Sequence, residues 1–280
     1  MKLQTYFILI FPFLIFFFIL WILKKNIIGK TQTESFKIIF NDNDYYSTKE
    51  KIPKNIIQVW KSWTTKDPFS IYKKNINLLK STNPSYEYMF FKDKEIDIFF
   101  TENYPEYYDT YNKLPINIQK VDFCRYVILY HYGGFYFDLD IEAIHPLDDF
   151  LLNNECVFPI DEIINKEMCI YERFNDFCDK TNVLLGQYGF ACCKKSKFIK
   201  HLIDSINDNI DSYIQLYKKK KNSSTEVYVY QTTGPDFVTK EYINYKEKEN
   251  IYILTYKERQ YFGKYARHTY HGTWKNNIMN

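Results

Sequence analysis

The chain has 280 residues, enough for one sizeable core plus accessory segments. Its 37 basic and 34 acidic residues leave a formal net charge of +3, without the basic stripe that a nucleic-acid partner requires. None of the six cysteines shows the paired CxxC spacing of a structural zinc site.

The first element is an apolar run. Tyr6 to Leu23 holds eighteen residues without a charge, about the length of a bilayer-spanning helix. No small-x-small cleavage signal follows, so the run reads as an uncleaved anchor rather than a signal peptide. Residues 1–25 are expected to form a short tail and transmembrane helix, residues 26–51 a polar stem, and residues 52–280 a single domain. Lys2 before the run and Lys24, Lys25 and Lys30 after it do not decide orientation, and lean slightly against a lumenal C-terminus.

In the domain, Asn55–Trp60 reads as a strand, residues 69–80 as a helix, and Tyr86–Phe91 as a strand after the Asn83-Pro84 turn. Residues 94–100 and 104–111 look helical. A helix over 117–132 carries Val121, Cys124, Ile128 and Tyr132 as its apolar stripe and ends at Gly133-Gly134. Phe135–Leu139 reads as a buried strand, Val157–Pro159 as another, and 196–217 as an amphipathic helix. Strands alternating with helices predict an α/β domain with a mostly parallel sheet. Cys124 falls on the apolar helix and reads as core; the other cysteines are open to disulfides whose pairing the sequence does not give. The Lys218–Lys221 run reads as a solvated loop, and Asn222-Ser223-Ser224 is a glycosylation sequon.

The chemistry concentrates in DFCRYVILYHYGGFYFDLD, residues 122–140. Asp138 and Asp140 follow a buried strand at i, i+2, and two carboxylates buried together call for a cation between them. Turn or capping acids are the plain alternative, but a strand end in an α/β sheet is where ligands bind. Asp122 and Arg125 share a helical face. They read equally well as an exposed ion pair or as a pair turned toward the same cleft, with Asp122 accepting sugar hydroxyls and the Arg125 fork meeting hydroxyls or phosphate. Gln58 and Trp60 end the first strand, and Trp60 is either core or a stacking platform for a base. The tail holds His268, His271 and Trp274, and neutral imidazole can complete a metal site begun by carboxylates.

Together these stretches resemble the DXD-containing glycosyltransferases of family 32, which include Golgi alpha-1,6-mannosyltransferases and inositol phosphoceramide mannosyltransferases. The matching segments are IPKNIIQVW, DFCRYVILYHYGGFYFDLDIEAIHPL, TTGPDF and HTYHGTW. The Asp122–Arg125 to DxD arrangement also looks like that of the clostridial toxin glucosyltransferases. The resemblance implies a GT-A fold over 52–280, a nucleotide-sugar donor (GDP-mannose or a UDP-hexose), Mn²⁺ or Mg²⁺, and retention at the anomeric carbon. It implies that Asp138 lies near the donor ribose and the metal, and that Asp140 ligates the metal. Asp122 and Arg125 would hold the transferred sugar, and Gln58, Trp60 and Trp274 would contact the donor. The family tail reads like H-H-W-x-G-S-W. Here His268 matches its first His, Thr269 replaces the second and His271 sits at the variable position, so His268 is the preferred metal ligand and His271 the other candidate. The acceptor expected from the family is a glycan or sphingolipid, and the expected location is a type II membrane protein of the Golgi or ER lumen. Two rival classes carry less. A haloacid-dehalogenase-type phosphotransferase places Thr or Val where this chain has Glu142. A non-catalytic sugar-binding protein of the same fold would not need the intact acids, Arg125 and tail.

Overall fold

A computed structural model describes residues 52–60, 68–150, 154–219, 224–256, 259–272 and 275. They all belong to one compact unit, Thr48–Asn280. The expected anchor and stem, Asn222 and Ser223 of the sequon, and Trp274 lie outside the described residues. Among the described residues no helix is long and apolar enough to cross a membrane.

The elements run β1 (Asn55–Val59), α1 (Pro68–Thr82), β2 (Glu87–Phe91), α2 (Asp93–Asn103), α3 (Pro105–Lys113), α4 (Asn117–Tyr132), β3 (Gly134–Phe137), β4 (Ile141–Ala143) and β5 (Cys156–Ile163). There follow β6 (Val183–Leu185), β7 (Gly189–Cys192), α5 (Lys197–Lys219), α6 (Thr225–Thr232), α7 (Pro235–Asn244), β8 (Ile251–Leu254), β9 (Tyr261–Phe262) and β10 (Ala266–His268).

The main sheet has the order β2-β1-β3-β7-β5-β6, with β8 also beside β5. It is mixed rather than mostly parallel. β1 runs parallel to β2 and β3, but β7 enters antiparallel between β3 and β5, and β6 is antiparallel to β5. β6 and β7, three residues apart in the chain, follow one another along β5 in the same direction: β6 pairs with Ile160–Ile163 and β7 with Cys156–Val157. A second sheet, β4-β10-β9, is wholly antiparallel.

The predicted apolar stripe of α4 understates its burial. Val121 through Leu129 are all buried, polar residues included, so α4 is a central helix packed on every side. It stacks on the sheet together with Phe100, Phe158, Phe190 and Phe198 in the largest core cluster. The helix must then turn straight into β3. Gly133 and Gly134 make that turn with φ of +67° and +110°. A Cβ on Gly134 would stand 2.5 Å from the Asn55 carbonyl oxygen, so backbone geometry and space both require glycine.

One consequence is measurable. Gly134→Ala combines an unfavourable φ with a backbone clash and is expected to cost at least ~2 kcal/mol of stability, read as a lowered urea midpoint.

Candidate active site

β3 ends at Phe137, and Asp138, Leu139 and Asp140 form the turn that follows it. The turn is held from three sides. The Asp138 N–H donates to the Tyr188 carbonyl at 2.8 Å, the Ile141 N–H donates to the Asp138 carbonyl at 3.2 Å, and the Gln58 amide donates to that same carbonyl at 3.2 Å. The turn leads into β4, and β10 pairs with β4 so that His268 stands opposite Ile141. This register places a residue 128 positions away beside Asp140: His268 Nε2 lies 3.2 Å from Asp140 Oδ2. Thr269 clamps the same place, giving its N–H and its hydroxyl to the Asp140 carbonyl at 2.9 and 2.6 Å.

Asp138, Asp140 and His268 each offer a ligand atom within 4.8 Å of the others. His271 takes a different place. Its backbone N–H donates to Asp140 Oδ2 at 3.0 Å and its ring stacks on Tyr72, with centroids 5.6 Å apart. Two carboxylates and an imidazole suit a divalent cation of Mn²⁺ type, so the donor set fits the metal that the resemblance implies. The electrostatics agree with that fit. Burial pushes the Asp138 carboxyl up despite Arg125, and the Asp140 charge adds to the rise. Burial also opposes ionisation of Asp140, but the hydrogen bond and charge of His268, with the His271 N–H, hold it below the usual carboxylate value. For His268, burial favours the neutral ring and the Asp140 contact more than reverses this. The two acids are thus driven apart in affinity for protons, as expected of neighbouring carboxylates with one shared positive partner.

Asp122 and Arg125 are not a surface pair. Both are buried, at 2% and 5% exposure, and are in direct contact. The exposed reading fails because α4 is central. Arg125 Nη1 also donates to the Gln187 carbonyl at 3.1 Å and lies 3.4 Å from Asp138 Oδ1. Asp122 Oδ2 accepts the Thr233 hydroxyl at 2.7 Å, and the Thr233 carbonyl accepts from Tyr126 and Gln187, each at 2.9 Å. The TTGPDF stretch therefore serves as scaffold for α4. Among the described residues, Arg125 Nε and His268 Nδ1 are buried nitrogens without a protein partner.

These groups line a cleft of about 280 Å³. Trp60 and Tyr72 form an aromatic side, edge to face at 6.0 Å, with Trp60 only 8% exposed and packed with Ile76 and Leu139. Gln58, expected as a donor contact, is fully buried under the turn and does not line the cleft; Asp138 and the Tyr88 hydroxyl occupy its amide.

Sequence reading missed several residues of the cleft. Tyr136 donates to Asp138 Oδ1 at 2.6 Å, and Tyr188 stacks on His268 at 4.8 Å with near-parallel rings. Arg173, on the loop closed by the Cys169–Cys178 disulfide, lines it too, while Cys124, Cys156, Cys192 and Cys193 are buried and not disulfide-bonded. Asp161 also faces the cleft, and burial pushes its carboxyl from the model-compound 3.8 up to about 6. The signal for Tyr136 was its place two residues before Asp138 on the same expected strand, which puts both side chains on one side; nothing local marked the others.

Because its folded-state pKa is raised, Asp161 makes the folded protein less stable as pH rises from about 4 to about 6, with no further change above. Asp161→Asn removes that loss. The variant is expected to be more stable than wild type by about 2 kcal/mol at neutral pH, and by almost nothing near pH 4, in paired denaturation curves.

Residues 71–158 match the family described as "Glycosyltransferase sugar-binding region containing DXD motif". Inositol phosphoceramide mannosyltransferase 1 of Schizosaccharomyces pombe is 35% identical over 122 residues, covering 42% of this chain and 37% of that protein. Initiation-specific alpha-1,6-mannosyltransferase of Candida albicans is 33% identical over 116 residues, covering 40% of this chain and 30% of that one. The chain thus matches well under half the length of these relatives. Among solved structures, the PaToxG glycosyltransferase aligns over 70% of this chain and 71% of its own, at 18% identity and a TM-score of 0.45. The segment that carries Asp122, Arg125, Asp138 and Asp140 therefore matches the sugar-binding region of the DXD-motif glycosyltransferases.

Proposed function

We propose that the protein is a metal-dependent, retaining glycosyltransferase of GT-A type that moves a hexose, mannose in first place, from a nucleoside diphosphate sugar to a hydroxyl. The observation that carries this reading is the junction of two groups in one cleft: Asp138, Asp140 and His268 within 4.8 Å of one another, and the buried Asp122–Arg125 pair linked to them through Asp138. The names of the mannosyltransferase relatives support mannose, hence GDP-mannose, ahead of a UDP-hexose.

Asp138, Asp140 and His268 would hold Mn²⁺ or Mg²⁺. Bound there, the cation supplies positive charge to the departing diphosphate. The remaining work falls to the chain. Arg125 is fixed by Asp122, the Gln187 carbonyl and the face of Tyr136, 5.2 Å from its guanidinium, so its charge needs no reorganisation during the reaction. Asp122 keeps acceptor capacity for sugar hydroxyls and orients the ring. Trp60 and Tyr72 offer a face for the base. Tyr136 holds the Asp138 carboxylate by its hydroxyl. The charge-free run 6–23 would attach this unit to a membrane, and with the family we read it as type II and lumenal, acting on a glycan or sphingolipid.

The decisive measurement is donor turnover by the purified protein across GDP-mannose and the UDP-hexoses, with Mn²⁺ and with chelator. Turnover should require the metal and fall more than about a hundredfold in Asp138→Asn with Asp140→Asn, while Mn²⁺ binding followed by calorimetry is lost in parallel. Full turnover in the double variant would refute the proposal.

A further inference from the structure

The cleft has a further polar part to which the proposed donor site assigns no role. It is lined by Asp161, Glu162, Arg173 and Tyr230. Asp161 stands at an irregularity in the sheet: the β5–β6 register shifts between Ile160, paired with Leu185, and Glu162, paired with Leu184. A bulge inserts an unpaired residue and re-aims its side chain. Asp161 is that residue. The charges acting on it are those of His268, Arg173, Glu162 and Asp236, and no hydrogen bond reaches its carboxyl from a described residue.

The neighbouring arginines are already matched. Arg173 donates from Nε and Nη2 to the two oxygens of Asp236, at 2.8 and 2.7 Å, and Arg259 pairs with Glu162. Arg173 also lies flat on Tyr230, 4.5 Å from the ring centroid, and the Cys169–Cys178 disulfide closes the loop that presents it. An incoming phosphate would meet the carboxylates of Asp161 and Glu162, and the cations beside them, Arg173 and Lys275, are already paired with Asp236 and Glu226. A neutral hydroxyl would meet a carboxylate with its lone pairs open.

We propose that this part of the cleft is the acceptor subsite, and that Asp161 accepts a hydrogen bond from a hydroxyl of a neutral polyhydroxylated ring, a sugar or a cyclitol, walled by Tyr230 and Arg173. The assignment rests on the glycosyl-transfer reading. Asp161 is a substrate-binding residue in it, distinct from the groups that hold the donor.

The test measures initial transfer rates by the full-length protein from whichever donor it turns over. The acceptors are methyl α-mannoside, mannobiose, myo-inositol and mannose 6-phosphate. Asp161→Asn should raise the KM of the neutral acceptors about ten- to a hundredfold, the loss expected when a charged hydrogen-bond acceptor becomes neutral, with donor KM within about twofold. Asp161→Glu, which keeps the charge, should recover part of that loss. An unchanged acceptor KM in Asp161→Asn would overturn the assignment, as would a donor KM that rises in step, or a preference for mannose 6-phosphate over the neutral rings. A wild-type protein that turns over no nucleotide sugar, with or without acceptor, would instead remove the glycosyl-transfer reading, and the subsite with it.

Discussion

The buried contact between Asp122 and Arg125 is the constraint around which the rest of the site is arranged. A charge pair taken out of water is costly unless every remaining donor and acceptor finds a partner. Here the partners come from distant parts of the chain: Thr233 on Asp122, and the Gln187 carbonyl and Asp138 on Arg125. Holding this ion pair therefore joins α4, the end of β3, the turn before β7 and the turn between α6 and α7, and leaves Arg125 Nε as the guanidinium nitrogen without a protein partner among the described residues. The same geometry explains why α4 is buried all round. Asp122 and Arg125 line the cleft with Ile118 and Val121, while Phe123, Cys124 and Tyr126 to Leu129 lie in the largest core cluster.

The second device is topological. A metal ligand at His268 is remote from the DXD turn in sequence, and only the antiparallel β4–β10 pairing brings it near. Since side chains alternate along a strand, a register slip of one residue would turn His268 away from Asp140. Thr269 guards that register through two hydrogen bonds to the Asp140 carbonyl. The tail thus acts as a strap across the turn, and the proposed ligation by His268 depends on its backbone as much as on its imidazole.

Much of this was legible in the amino-acid order, and the reasons are local. The β1, β2, α4 and β3 elements carry strong apolar patterns with Gly, Pro or Asn at their ends, and the DXD motif follows directly from them. The Asp122–Arg125 pair was visible but not its burial, because helical spacing does not say how many sides of a helix are covered. Gln58 misled for a similar reason: a polar residue at a strand end is a ligand contact or a backbone clamp depending on what lies above it. The mixed sheet was hidden because β6 and β7 are each four residues or fewer, and the second sheet because β4, β9 and β10 are each three or fewer, all too short for periodicity to register. Asp161 lay past Pro159, where a strand reading stops, although Pro159 is accommodated and β5 continues to Ile163.

Asp161 brings these threads together. A carboxyl half-withdrawn from water, at a bulge, without a hydrogen bond from the protein, is a local violation of the rules that the rest of the fold obeys. Nothing in the packing around it requires an acid: Ile160 and Glu162 hold the strand on either side, and Arg173 is served by Asp236. A residue that the scaffold would be more stable without is explained best by what it does when the cleft is filled. The contrast with Asp122 sharpens the point. Asp122 is more deeply buried, yet its charge is met on both oxygens by the protein, so it belongs to a site built before any ligand arrives. The Asp161 carboxyl is left for the ligand to satisfy.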